Sequence, residues 1–320
     1  MARRTVTPLE VGGRRLEVSN WDKVLFPGDG YTKGDLVTYY RAVARFLLPH
    51  VAGRPLTLQR YPDGVDGPSF FEKDAPRGTP DWVRTLTLPA EYGRRGEVRY
   101  LVCDDESTLV FVANLAAIVL HVWTSREPHV DSPDLLLFDL DPGEACTVAT
   151  LGRVAVAFHD ALDGIGLHSL VKTTGGAGLH VIVPLQPRYD YDAVKVFAEL
   201  VARRVNGELP GATSLERATS RRPADAVYLD YVQVGRGKTL VAPYSVRARA
   251  GAPVSTPLAW DDVRAMVRKR GRDTQAENAR FTIRNVPARL AEGGDPWDAG
   301  AVRGQRLEGA LTKAQGAWRT

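Results

Sequence analysis

Residues 135–143 read LLLFDLDPG. An apolar run leads into Asp139 and Asp141, which have one leucine between them, and Pro142-Gly143 closes the stretch. A short apolar run ended by Pro-Gly is the pattern of a buried strand entering a turn. Side chains alternate faces along a strand, so Asp139 and Asp141 point the same way while Phe138 and Leu140 point into the core. Two neighbouring carboxylates repel each other unless a positive group sits between them. Hard oxygen donors of this kind suit Mg2+ or Mn2+. The plain alternative is a strand end with capping aspartates. A phosphatase-type FDLDGT pattern, whose first Asp is a nucleophile, wants Gly-Thr where this chain has Pro142-Gly143.

The chain has 320 residues, 44% of them hydrophobic and 25% charged, within the range of ordinary globular proteins. That length holds a sizeable core in one large domain or two small ones. No apolar run reaches the length of a membrane span, and the MARRTVTPLEV start has no apolar stretch after its arginines, which excludes a secretory signal. Cys103 and Cys146 lack metal-ligand spacing and read as small core residues in a reduced compartment. Net charge is only +4, but basic residues cluster at Arg94-Arg95, Arg203-Arg204, Arg221-Arg222 and Arg264–Arg272, which suits a polyanionic partner or solvated surface equally.

Outward from the central strand, residues 10–18 read as a hairpin with a Gly-Gly turn. A Pro/Gly loop leads into a helix opening at Thr32 or Lys33 and running to about Leu47. Residues 55–61 and 98–102 are strand-like, with a long loop between them. The apolar stretch 105–121 reads as one buried helix ending at His121. Helices are expected over 147–165, 192–206 and 260–271. Residues 169–185 form a hairpin about a glycine-rich turn, and 227–233 and 238–244 read as strands paired across Gly-Arg-Gly. No linker is evident: a single domain over 1–293 and a loosely held tail over 294–320 are expected.

Asp230, in VYLDYVQ, reads as a mid-strand acid between apolar neighbours, where an unpaired charge is costly. It is the best third carboxylate, and three such acids are the minimum for a two-metal phosphoryl-transfer site. The turn TTGGAGLH (173–180) is no Walker loop, because it lacks GK[ST] and opens no helix. Its N–H groups can still cradle a phosphate, with Thr174 and His180 beside it, or it is a plain glycine hairpin. His121 alone reads as a core histidine. Phe70-Phe71, adjacent aromatics on a loop, offer a base-stacking platform. Lys23 and Lys33 flank the Pro/Gly loop near a helix start, where either holds a phosphate or is a surface lysine.

Taken together, NWDKVLFP, FFEKDAPRGTPDWV, LLLFDLDPG, KTTGGAGLHVIVPL, VYLDYVQ and KTLVAPYSVRARAGAPVSTPLAW resemble, in order, the motifs of the polymerase domain of bacterial DNA ligase D. That family belongs to the archaeo-eukaryotic primase superfamily and works in non-homologous end joining. The resemblance spans roughly residues 10–290. It implies an α+β fold, a primase-polymerase core of two β-sheets with flanking helices. It implies a DNA-directed nucleotidyltransferase using two Mn2+ or Mg2+ ions held by Asp139, Asp141 and Asp230. By the same resemblance Lys172, Thr174, Gly175, Gly176, Gly178, His180, Gln233, Arg247 and His121 bind the nucleotide. Lys23 and Lys33 bind the 5′-phosphate of a DNA end, and Phe70 and Phe71 stack on bases. The implied partners are gapped or broken DNA, NTPs or dNTPs, a separate ATP-dependent ligase and a DNA-end-binding protein, at the bacterial nucleoid in the cytoplasm, with no membrane.

The chain departs from the family pattern at Thr174, usually Ser, and at Ala177, often Lys. Thr keeps a hydroxyl; Ala177 removes a positive charge. No KxDG ligase motif and no His-rich nuclease module is present, so the chain resembles either a stand-alone homologue or an excised domain, its ends favouring the first. Two rival readings are a DNA-end-binding scaffold carried by Lys23, Lys33, Phe70 and Phe71, and a metal-dependent phosphohydrolase.

Overall fold

A computed structural model describes residues 5–90, 96–271, 273–297 and 304–318. Arg94-Arg95 and Arg272 of the basic clusters lie outside the described residues. The first part of the chain forms β1 (Val6–Val11), β2 (Arg14–Ser19), β3 (Val24–Phe26), β4 (Tyr31–Thr32), α1 (Lys33–Val51), β5 (Leu56–Arg60), β6 (Phe70–Glu72), β7 (Thr85–Pro89), β8 (Glu97–Leu101), α2 (Glu106–Asn114) and β9 (Ala117–Trp123). Then come β10 (Leu135–Pro142), α3 (Val148–Gly164), β11 (Leu170–Thr173), β12 (Leu179–Pro184), α4 (Tyr191–Glu208), β13 (Thr213–Ser214) and β14 (Val227–Asp230). The last are β15 (Thr239–Val241), β16 (Pro257–Leu258), α5 (Trp260–Met266), α6 (Thr274–Ala279), α7 (Val286–Gly293) and α8 (Glu308–Ala317). The fold is mixed α and β, as expected. No helix among the described residues is long and apolar enough to cross a membrane.

The expected single domain divides into two compact units. One comprises Met1–Trp123, Thr239–Ser255 and Phe281–Gly294; the other comprises Thr124–Lys238, Thr256–Arg280 and Asp295–Thr320. Neither is a continuous stretch, which is why no linker composition marks the division.

In the first unit a sheet runs β15-β9-β5-β8-β7, with β6 also paired to β5. Helix α1 starts where expected because Thr32 and Asp35 form a capping box: Thr32 Oγ1 accepts from the Asp35 amide and Asp35 accepts from the Thr32 amide. Two expectations fail here. The apolar stretch 105–121 is not one helix: α2 ends at Asn114, Ala116 takes φ +56°, and the chain continues as β9, so His121 lies on a strand. Residues buried on every side carry no periodicity to separate helix from strand, and the β-branched and aromatic residues of IVLHVW favour the strand. Phe70-Phe71 lie not on a loop but on β6, an edge strand in which Phe70 faces Arg60 and Phe71 faces Gln59.

In the second unit the sheet order is β13-β14-β10-β12-β11-β16. On one face of β10, Phe138 packs against Phe158 of α3 with ring centroids 4.7 Å apart. Strands 227–233 and 238–244 do not pair with each other. β14 pairs with β10 and β13, whereas β15 pairs with β9 in the other unit's sheet. Alternating apolar patterns mark a strand without naming its partner. The helix expected over 260–271 stops at Met266. The tail is also not loose across residues 304–318. The Gln305 amide donates to Pro184 O at 3.0 Å, its carboxamide accepts from the His168 amide at 2.7 Å, and Leu307, Ala310 and Ala314 of the α8 segment are buried. Small residues read as slack in a sequence, yet here they allow a helix to lie close against its neighbours.

Candidate active site

β10 lies between β12 and β14 and is antiparallel to both. Asp139 stands opposite His180 on one side and Asp230 on the other, and His180 stands opposite Lys172. Directly opposed residues share a face. The row Asp230–Asp139–His180–Lys172 therefore crosses four neighbouring strands. Two residues along β10, on the same face, Asp141 stands opposite Tyr228. Five predicted site residues are thus brought to one face by strand register alone.

The row is electrostatically strained. Burial and the charges of Asp139 and Asp230 push the Asp141 carboxyl up to about 7, with Arg222 opposing. Asp141 is exposed at the strand end, so solvent screens part of that repulsion. Asp230 is raised too, by burial and by Asp139, against the bonds it accepts from the Val232 amide at 2.9 Å and Gln233 Nε2 at 3.0 Å. Asp230 is the last residue of its strand rather than a mid-strand acid. His180 Nε2 lies 3.4 Å from Asp139 Oδ1. Among the described residues no group of three or more His, Cys, Asp or Glu side chains is gathered into a ready metal cage. The donor set nonetheless fits a hard divalent cation, since Asp141 and Asp230 are both pushed towards their neutral forms beside Asp139 and a cation relieves that repulsion.

The turn between β11 and β12 is tightly built. Thr174 Oγ1 accepts from the Gly176 amide at 3.1 Å and lies 3.2 Å from Gly178 O, so the hydroxyl expected to meet phosphate also organises the turn. Gly175 has φ +69°. Gly178 is required by close approach: a Cβ there would stand 2.4 Å from Leu140 O. Asn278 Nδ2 donates to Gly178 O at 2.9 Å. Lys172, expected to touch nucleotide, is fully buried, and its Nζ lies 3.3 Å from Thr173 O. Its side chain is thus enclosed by protein in this structure.

Sequence reasoning missed two groups beside these residues. Lys238 donates to Val232 O, in the loop that holds Asp230, and burial lowers its pKa. Arg222 lies over the Tyr228 ring, 3.4 Å from its centroid, and donates to Glu216 O and Arg217 O. Asp141, Ser214, Arg222 and Tyr228 line a cavity of about 380 Å³. Arg222 was visible only as part of a basic pair, and Lys238 opened a quoted motif without being given a role.

The other predicted residues, Lys23, Lys33, Phe70, Phe71, His121 and Arg247, belong to the first unit. Lys23 and Lys33 are joined through their backbones, the Lys33 amide donating to Lys23 O at 2.8 Å. Lys23 pairs with Asp63 at 3.1 Å. Lys33 is not a surface lysine: it is buried, and its Nζ donates to Asn114 O at 2.9 Å, at the end of α2. Phe70 and Phe71 are 45% and 60% exposed, large for aromatics without a covering. Arg60 lies over Phe70 and bonds Glu72, while the Phe71 and His121 rings meet edge-on at 5.5 Å. The Arg247 amide donates to Pro253 O at 2.7 Å.

Comparison with known proteins agrees with the fold. A family model described as LigD, primase-polymerase domain, matches residues 32–297. The multifunctional non-homologous end joining DNA repair protein LigD of Mycobacterium tuberculosis is 37% identical over 258 residues, covering 78% of this chain and 34% of the relative. The LigD of Pseudomonas aeruginosa is 30% identical over 303 residues, 94% of this chain and 34% of the relative. The chain thus spans about a third of the length of these relatives. Among solved structures, the polymerase domain of Mycobacterium tuberculosis ligase D in complex with DNA matches with a TM-score of 0.79 and 35% identity, over 88% of this chain and 96% of that one. On this combined footing of fold, motif order and sequence, the chain belongs to the LigD primase-polymerase domain family.

Proposed function

We propose that the chain is a template-dependent nucleotidyltransferase that adds nucleotides, NTPs before dNTPs, at gaps or broken DNA ends in non-homologous end joining. The register that sets Asp139 between His180 and Asp230, with Asp141 beside them, is the observation that supports it most. Asp139, Asp141 and Asp230 would hold two Mn2+ or Mg2+ ions. When bound, such ions stabilise the charge that develops on transferring and leaving oxygens. Gln233 and the Val232 amide hold the Asp230 carboxylate beside the primer 3′-hydroxyl. His180 and the amides of the 174–178 turn orient the triphosphate, and its charge calls for the further cation Arg247. Phe70 and Phe71 stack on bases, with His121 bracing Phe71, and Lys23 with Lys33 receives the 5′-phosphate, Lys33 leaving its carbonyl partner to do so. A separate ligase and an end-binding protein complete the repair in the bacterial cytoplasm.

The test is primer extension in Mn2+ on a short-gapped duplex, with or without a downstream 5′-phosphate, and with NTPs and dNTPs offered separately. The expected result is templated addition, faster with NTPs and strengthened by the 5′-phosphate, and lost in Asp139→Ala. Binding without addition would mark a DNA-end scaffold; addition retained in Asp139→Ala would overturn the carboxylate assignment.

A further inference from the structure

We infer that Lys172 is a positioning residue: a buried, fixed cation that holds His180 and the base of the glycine turn in place without itself meeting nucleotide. Lysine is almost never fully buried, because an ammonium taken from water must be compensated. Lys172 is fully buried on β11. Part of its compensation comes from a carbonyl of its own strand. It stands directly opposite His180, whose Nε2 lies 3.4 Å from Asp139, and its Nζ lies 3.3 Å from Thr173 O. Opposed side chains on an antiparallel pair have Cβ atoms about 5 Å apart, so the ammonium's stem flanks the imidazole along one edge.

The backbone around Lys172 has no slack. Trp297 Nε1 donates to Val171 O at 2.9 Å, the Thr173 amide donates to Thr256 O at 2.9 Å, and the Thr256 amide donates to Thr173 Oγ1 at 2.9 Å. Val171 also faces Leu258 of β16. A strand clamped on both sides fixes where the side chain starts, on the sheet face that carries His180 and Asp139. Thr173 is the residue from which the turn departs, so a cation on its carbonyl steadies the amides that follow. Lys172 thereby acts through two groups, the His180 ring and the Thr173 carbonyl, and through neither by contact with substrate.

The activity arm of the test rests on the proposed nucleotidyl transfer; the spectroscopic arm does not. Lys172→Met keeps the length but removes the charge and the donor to Thr173 O, at a modest cost in stability. The melting temperature is expected to stay within a few degrees while the His180 ring resonances shift in two-dimensional NMR. The KM for nucleotide is expected to rise about 10–100-fold, the usual range for loss of an outer support, with primer-template affinity unchanged. Lys172→Met combined with His180→Ala is expected to be no worse than His180→Ala alone. Unmoved His180 resonances, or additive losses in the double variant, would overturn the proposal. Should Lys172→Met not fold, the same coupling is read from the other end. The Lys172 ammonium signal must move in His180→Ala, and an unmoved signal overturns it. Absence of extension by the wild-type chain would count against the proposed function and leave the NMR result to decide the role of Lys172.

Discussion

At the scale of single residues, the acids on β10 and β14 trade stability for a place to hold charge. The folded Asp141 carboxyl sits at about 7 and Asp230 is also raised, against an unfolded aspartate near 4. The folded state therefore binds more protons than the unfolded state between those values, and stability falls as pH rises through that window. The melting temperature in chelator is expected to drop between pH 5 and pH 7.5, and the drop is expected to shrink in Asp141→Asn. Excess Mn2+ should cancel it if the acids bind the ion. A melting temperature flat across this range in chelator would show that the carboxyls are not raised. Lys33 carries a second residue-scale test. Its Nζ satisfies Asn114 O inside the fold, so Lys33→Met is expected to destabilise the protein by about 1–3 kcal/mol, seen as an earlier urea midpoint, whatever it does to 5′-phosphate binding.

At the scale of elements, close approach decides which glycines matter. Gly178→Ala would place a Cβ 2.4 Å from Leu140 O, a backbone atom that cannot swing aside. A cost of about 1–3 kcal/mol is expected, together with a distorted turn and weaker triphosphate binding. Gly207, inside α4, has nothing within 4 Å of such a Cβ. Gly207→Ala is expected to stabilise by about 0.5–1 kcal/mol. Paired melts of the two variants separate a glycine the fold needs from one it merely carries. The break between α2 and β9 has its own signature: Ala116, at φ +56°, is strained as a non-glycine residue. Its replacement by glycine is expected to leave the urea midpoint unchanged or higher, whereas a continuous helix there would lose about 1 kcal/mol.

At the scale of the molecule, the last described segment is structural. Gln305 bonds both edges of a gap between His168 and Pro184, and Leu307 seals the start of α8. Ending the chain at residue 297 removes these bonds and the buried apolar residues of α8, at about 3 kcal/mol or more. A drop of roughly 5–10 °C in melting temperature is expected for a protein of this size, with an exposed sheet edge at Leu185. An unchanged melting curve would mean the segment contributes nothing to the fold. Because each unit is assembled from separate stretches of chain, this effect reaches the sheet that carries Asp139 from a point far along the sequence.

Local chemistry and kinship were legible in the order of the amino acids. The strand at 135–139, the capping box at Thr32 and Asp35, and the glycine turn at 173–178 follow from patterns a few residues long, and the order of motifs was enough to identify the family. What lies opposite what was settled by folding. The register that lines up Asp230, Asp139, His180 and Lys172, the burial of Lys172 and Lys33, the break at Ala116 and the separate sheets of β14 and β15 all depend on partners distant in the chain. The physical reason is the same in each case. A strand's face is written in its own alternation, but its neighbour, and the side chain that neighbour presents, is chosen by packing across the whole sheet.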